Sequence, residues 1–480
     1  ARAAVSLETD EDRARHAARP VAEVPGLATR LGAAAYTGLG AGILAGLGIG
    51  AIEALVIARE GLGADHQVLW YGPLVYALLL GLGGLAAGVV LGVLPMERPE
   101  IRGWTASLVL IALGVMPALL IALFRIRRDV FHEQMPPLPV LAGVLGVAGV
   151  VSLALFLLGP RLLGGRLGRA FGAIPALGIG VLVIGGAAVA GRLLHPAEPA
   201  PSTPPAVPAA LADQPNLLLI VVDTLRADAL SCYGGRVEAT HICGLAEREG
   251  TLFTGFAHAS WTKPSFASLL TSTLPSTHNT MSKTSTLPPD LVMVSEALQQ
   301  HGYATGGIVA NINLAPSFGF QQGYDEYHYL SPDYLFGAKE SSSKLIFYQI
   351  GRKVALKRKP GHRVTDYYQD AATVTRVAGD WLTRHRDSRF FLLLHYMDPH
   401  DPYFPHPYTG EAVARVEAEH PDPSKAQRMR ELYDGEIAFT DEHIAKIEQH
   451  LKQLGLWDET MIVITADHGD EQWEDGRVGH

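Results

Sequence analysis

Hydrophobic positions fall into two regimes along this chain. Before about residue 195 they come in long unbroken runs; beyond about residue 215 they come in short runs closed by a charged or polar residue. The long runs cover roughly 31–58, 68–95, 104–124, 136–160 and 171–191. Each exceeds the roughly 20 residues that cross a bilayer as a helix. Buried helices of a soluble domain are a poor alternative, because five such runs recur at this length. Glu53 is the main acidic residue inside them. It is either functional or, near a helix end, placed to reach the interface. Gly38, Gly42, Gly46 and Gly50 recur every four residues in the first run. They share one helix face and permit close packing, against another helix of this chain or against a second molecule in an oligomer.

The short runs follow a proline-rich stretch, 195–215, whose prolines favour an extended, semi-stiff spacer. The first is NLLLIVVDTLRAD, in which Leu217–Val222 stop abruptly at Asp223. This is the pattern of a buried parallel strand. Helices are expected around 242–249, from Pro264 onward, and over 291–300, 366–385 and 426–454. Further strands are expected within 305–311 and at 390–394 and 461–465. The aromatic, then basic, region 316–365 is expected to be an insertion or a substrate-facing wall. Strands alternating with helices predict an α/β domain with a mostly parallel sheet sandwiched by helices. The expected division is a polar segment 1–26, a membrane domain of about five transmembrane helices at 27–194, a linker at 195–215, and an α/β domain at 216–480.

Charge separates the same two parts. Residues 1–200 hold 15 Arg, no Lys and 13 acidic residues, whereas residues 201–480 hold 24 basic and 35 acidic ones. The acidic second part argues against a nucleic-acid partner. Arginine also orients the helices. With the N-terminus inside, Arg2, Arg13, Arg15, Arg19, Arg30, Arg98, Arg102, Arg161, Arg166 and Arg169 are cytoplasmic. Arg59, Arg192 and the trio Arg125, Arg127 and Arg128 are then outside, and the trio conflicts with the rule. This majority puts the α/β domain on the extracytoplasmic side of a cytoplasmic membrane. Cys232 and Cys243 are the only cysteines. A disulfide between them would suit such a compartment, and two buried thiols are the alternative.

Three stretches carry candidate chemistry. Asp223, Asp467 and His468 stand at or just past the C-terminal ends of expected strands, where ligands bind in open α/β sheets. Two carboxylates and an imidazole suit a divalent cation, Mn or Zn before Mg or Ca. Thr262, before Lys263, Pro264 and Ser265, opens a helix. Its hydroxyl is either a nucleophile facing a tetrahedral oxyanion or a plain helix cap. Lys263 either neutralises a substrate oxygen or faces solvent. HYMDPHDPY supplies His395 and His400, imidazoles able to protonate a leaving alkoxide. His480 is a candidate phosphate or metal contact.

Five motifs in order carry a resemblance. They are DTLRAD, TKPSFASLLTS (262–272), HYMDPHDPY (395–403), YDGEIAFTD (433–441) and TADHGDE (465–471). Together they resemble the sulfatase branch of the alkaline phosphatase superfamily. The resemblance implies an alkaline-phosphatase-like fold. It implies a metal held by Asp223, Asp467, His468 and Thr262, and Thr262 as covalent nucleophile. It places His400 on the leaving-group side, with His395 nearby.

Three positions depart from the sulfatase pattern. Its C-x-P-S-R or S-x-P-S-R begins here with Thr262, which cannot become formylglycine, and ends in Phe266. Thr224 follows the first aspartate where an acidic residue is usual, and His468 replaces the usual Asn. These changes lean toward threonine-using relatives, the phosphoglycerol transferases and the lipid A phosphoethanolamine transferases. The expected function is therefore a metal-dependent hydrolase or transferase of phosphate esters or phosphodiesters, on lipid or lipid-linked headgroups, through a phosphothreonine. One alternative is a sulfuric ester hydrolase lacking formylglycine; the other is an inactive headgroup-binding membrane protein. Family members also continue beyond the D-H-G motif, so the resemblance implies either a C-terminally truncated fragment or a missing subdomain.

Overall fold

The computed structural model describes residues 24–59, 65–131, 134–194, 206–358, 361–412 and 422–479. Arg2, Arg13, Arg15, Arg19, most of the proline-rich linker and His480 lie outside the described residues. The chain forms two compact units. One comprises the chain up to Leu55 together with Leu69–Ala190; the other comprises Val56–Val68 together with Gly191 onward.

The first unit is helical. Five helices are long and apolar enough to cross a membrane: Leu27–Arg59, Val68–Leu91, Arg98–Arg128, Leu138–Leu157 and Ala173–Leu194. Large apolar side chains such as Leu82, Val90, Val150 and Leu182 are exposed, as expected where lipid is the solvent. The glycine face of the first helix meets the second helix of the same chain. An added Cβ at Gly38, Gly42, Gly46 or Gly50 would collide with the backbone of Gly84, Leu80, Tyr76 or Gly72 respectively. The two backbones therefore touch where any side chain would hold them apart. Gly42→Val is expected to destabilise the detergent-solubilised protein by about 3 kcal/mol or more, the upper end of overpacking costs. Gly48→Ala, where a Cβ would meet nothing within 4 Å, serves as the matched control in the same thermal melt.

Glu53 does not reach an interface. Its side chain is buried, accepts a hydrogen bond from the Tyr76 hydroxyl, and pairs with Arg125 at 2.7 Å. The third helix also runs past the expected end at 124, so Arg125 lies within it. One member of the conflicting arginine trio is thus the counter-charge of the one acid in the first run. Inside a low-dielectric bundle each would be costly alone.

The second unit is built on a five-stranded parallel sheet. The strands are β1 (Asn216–Val222), β2 (Ala304–Val309), β3 (Glu326–Tyr329), β4 (Phe390–Tyr396) and β5 (Thr460–Ala466), in the order β3-β2-β4-β1-β5. β4 is buried at every position, which its unbroken apolar run predicts for a central parallel strand. β3 corrects the expectation for 316–365: part of that region joins the sheet, as an edge strand against β2. Four residues, EYHY, are too few and too polar to announce a strand. Helices Ala371–Arg384 and Ala426–Leu454 supply Trp381, Ile437 and Ile444 to the same core as Phe390 and Leu392. Asp370 caps the first of these by accepting from the Thr373 N–H. A disulfide joins Cys232 to Cys243.

Register positions the site. Val222 pairs with Tyr396 on one side and with Ala466 on the other. The residues that follow β1, β4 and β5 consequently emerge at one edge of the sheet, side by side.

Candidate active site

Asp223 follows β1 directly and is fully buried. Thr224 then turns the chain sharply with φ of 53°, a conformation a β-branched residue adopts only when its surroundings over-determine it. Three bonds do so. The Thr224 N–H donates to Asp467 Oδ1 (3.3 Å), its hydroxyl donates to the Pro399 carbonyl (3.1 Å), and its carbonyl accepts from the Tyr433 hydroxyl (2.9 Å). The position where an acidic residue was the family expectation is thus a backbone anchor joining β1, the β5 end and the loop after β4.

Asp223, Asp467 and His468 each bring a ligand atom within 4.8 Å of the others. His468 Nε2 lies 3.5 Å from Asp223 Oδ1 and 3.4 Å from Asp467 Oδ2. His395 Nε2 lies 3.3 Å from Asp223 Oδ2. Asp223 Oδ1 and Asp467 Oδ2 accept no hydrogen bond among the described residues, although both are buried. Burial, followed by the negative charge of Asp223, pushes the Asp467 carboxyl well up. Burial also acts to raise Asp223, but the imidazoles of His400, His395 and His468 together hold it below the usual carboxylate range. Two adjacent buried acids with open oxygens are the electrostatic signature of a cation site. The residues present fit a divalent metal.

Thr262 is the first residue of helix Thr262–Thr271 and is 1% exposed. It is not the helix cap; Trp261 holds that place, with no side-chain cap bond. The Thr262 hydroxyl instead accepts from Asn311 Nδ2 at 3.1 Å, and the same amide donates to Asp223 Oδ2 at 2.8 Å. The threonine oxygen and the carboxylate oxygen are therefore separated by no more than the sum of those two distances. Ser265, one turn along, donates from its hydroxyl to the Asp467 carbonyl and ties the helix start to the end of β5.

Asn311 is a site residue that sequence reasoning missed. The available signal was its place: it lies just past β2, as Asp223 does past β1 and Asp467 past β5. Asn311→Ala is expected to lower kcat by about 10²-fold with a smaller change in KM, the scale seen when one positioned polar donor is removed. Steady-state kinetics on the substrates proposed below measures this.

His400 lies 16% exposed in the loop after β4, near enough for its charge to act on Asp223. His395 is within β4, its ring meeting Phe266 edge-on at 5.2 Å. The Phe266 that replaces the family arginine therefore forms an apolar wall behind this imidazole. Lys263 is buried; its ammonium donates to the carbonyls of Lys283 (2.7 Å) and Ser285 (3.2 Å) and sits 3.3 Å from the centre of the Phe318 ring. Burial, then Lys344, pushes its pKa down to about 7. A role at a substrate oxygen would require it to release those carbonyls.

A membrane helical region followed by an alkaline-phosphatase-like α/β domain, with a hydroxyl at a helix start beside paired buried acids, defines a recognised class of proteins. The sulfatase family model matches residues 215–479, more than half of the chain, and the chain belongs to that family. Steryl-sulfatase of Rattus norvegicus is 24% identical over 345 residues, covering 55% of this chain and 57% of that protein. N-acetylgalactosamine-6-sulfatase of Homo sapiens is 26% identical over 272 residues, covering 53% of this chain and 50% of that protein. The chain thus spans about half the length of these relatives. Among solved structures, a phosphonate monoester hydrolase of Agrobacterium radiobacter is 21% identical with a TM-score of 0.41, covering 55% of this chain and 65% of that one.

Proposed function

We propose that the chain is a metal-dependent ester hydrolase in which Thr262 Oγ attacks a substrate bearing a tetrahedral oxyanion, a sulfuric ester in the first instance. The observation that carries this is the Asn311 amide, which holds the Thr262 hydroxyl beside Asp223. Family membership and the sulfatase names of the relatives favour the sulfuric ester over the phosphoryl chemistry that threonine alone implies.

Asp223, Asp467, His468 and the Thr262 hydroxyl would hold the divalent cation, with Mn or Zn matching a donor set that includes an imidazole. When bound, it would draw negative charge from the ester oxygens and acidify the hydroxyl. Thr262 Oγ forms a bond to sulfur as the bond from sulfur to the leaving oxygen breaks. The hydroxyl proton passes to solvent, and the leaving alkoxide takes a proton from His400. Water then adds to sulfur, the bond to Thr262 breaks with return of a proton to Oγ, and sulfate departs. Asn311 orients Thr262 throughout, and the helix N-terminus favours the anionic group.

The second reading is phosphodiester cleavage or transfer through a phosphothreonine, favoured by Thr262 itself. It stands where the aldehyde-forming residue of sulfatases would be. In either case a lipid or lipid-linked ester suits a catalytic domain that follows five membrane helices. An extracytoplasmic placement of 216–480, joined by the linker 195–215, is supported by the arginine distribution and by the Cys232–Cys243 disulfide. One preparation, assayed in parallel on an aryl sulfate and on a bis-aryl phosphodiester, tests the order. Faster sulfate release is expected; faster phosphodiester cleavage would put the second reading first.

A further inference from the structure

The loop after β4 carries a second convergence, outside the site just described. Asp398 from that loop, His406 further along it, and Glu436 from helix Ala426–Leu454 each bring a ligand atom within 4.8 Å of the others. Both carboxylates are 0% exposed. Each has one oxygen engaged. Asp398 Oδ2 accepts from the Ala371 N–H at 2.8 Å; Glu436 Oε1 accepts from the Phe404 N–H at 2.7 Å and from the Tyr368 hydroxyl at 3.2 Å. Asp398 Oδ1, Glu436 Oε2 and His406 Nε2 have no hydrogen-bond partner among the described residues, though all three are buried atoms. The His406 ring lies flat on Phe439, with centroids 3.9 Å apart and planes 11° apart, which fixes its direction.

Open electron pairs on buried groups are costly unless something accepts them. A proton shared between the two acids would answer for the two oxygens and leave His406 Nε2 unmet. A divalent cation held by the three residues would engage both acids and the imidazole together. Two carboxylates with one imidazole select the zinc or manganese class over calcium or magnesium. Asp398 and His406 lie in the loop after β4 and Glu436 lies in a helix, so a bound ion would act as a clip between loop and helix.

We propose that Asp398, His406 and Glu436 form a second divalent-cation site, structural in role, that fastens the loop 397–407 to helix Ala426–Leu454. The loop carries His400, so the clip also positions that imidazole, but the site stands independently of the ester-hydrolase reading.

Zinc content of the full chain in detergent tests it. The double variant Asp223→Asn/Asp467→Asn, loaded with zinc and desalted, is expected to retain one zinc per chain, and adding His406→Gln is expected to remove it. Retention near zero before the His406 change, or no loss after it, would overturn the proposal. If the His406→Gln chain does not fold, as judged by its melting curve, anomalous zinc diffraction from the wild-type protein decides. A peak among Asp398, His406 and Glu436 supports the site, and no peak there overturns it whether or not Asp223 carries one. A peak here with none at Asp223 would instead remove the metal from the proposed active site and leave this one standing.

Discussion

Thr262→Ala is expected to lower turnover on the order of 10⁴-fold, the scale of losing an attacking group that works as part of a unit. The cause is specific. The hydroxyl is the acceptor of the Asn311 amide that also holds Asp223, and nothing else at that helix start offers an oxygen on that amide. Because Trp261 and not Thr262 is the cap residue, the substitution is expected to leave the melting temperature nearly unchanged. Thr262→Ser keeps the oxygen and should stay within about tenfold of wild type, losing only the rotamer restriction of a β-branched side chain. Turnover and melting measured on the same three preparations separate catalysis from packing. Substantial activity in the alanine variant would remove Thr262 from the mechanism.

Metal stripping is the second large effect. Dialysis against a chelator is expected to reduce activity about 10³-fold or more, since a bound cation supplies several kcal/mol of charge stabilisation. Manganese or zinc should restore it better than magnesium or calcium, because His468 would contribute nitrogen to the proposed donor set. The geometry gives the reason for the dependence. Without a cation, burial and then the negative charge of Asp223 push the Asp467 carboxyl well up, and a bound cation would relieve both. Undiminished activity in chelator, with no metal in the sample by elemental analysis, would exclude a metal role.

Much of this was legible in the linear chain, for definable reasons. Length and unbroken apolarity mark a bilayer helix without reference to any neighbour, so all five were visible. The strands closing on Asp223 and Asp467 were visible because a parallel strand buried on both faces has no polar interruption until its end. What escaped depends on partners. Asn311 sits beyond a short, glycine-containing strand and looks like a turn residue until β2 is placed beside β4. The acid–base pair Glu53 and Arg125 joins two separate helices, and no periodicity within either one reveals it. Glu436 occupies an ordinary position in an amphipathic helix; only the folded loop turns it toward Asp398. The residues 326–329 lack the apolar signal of a strand because an edge needs little burial. Thr262 had two open roles, and the placement of Trp261 at the cap removes one.

The Glu53–Arg125 pair also imposes an order on biosynthesis. The acid precedes its base by 72 residues, so the ribosome delivers the first helix to the insertion machinery well before its neutralising partner exists. Until the third helix arrives, the Arg125 guanidinium is not there to meet that carboxylate. Replacing Arg125 should therefore leave the first insertion step unchanged and show itself only once the third helix packs against the first.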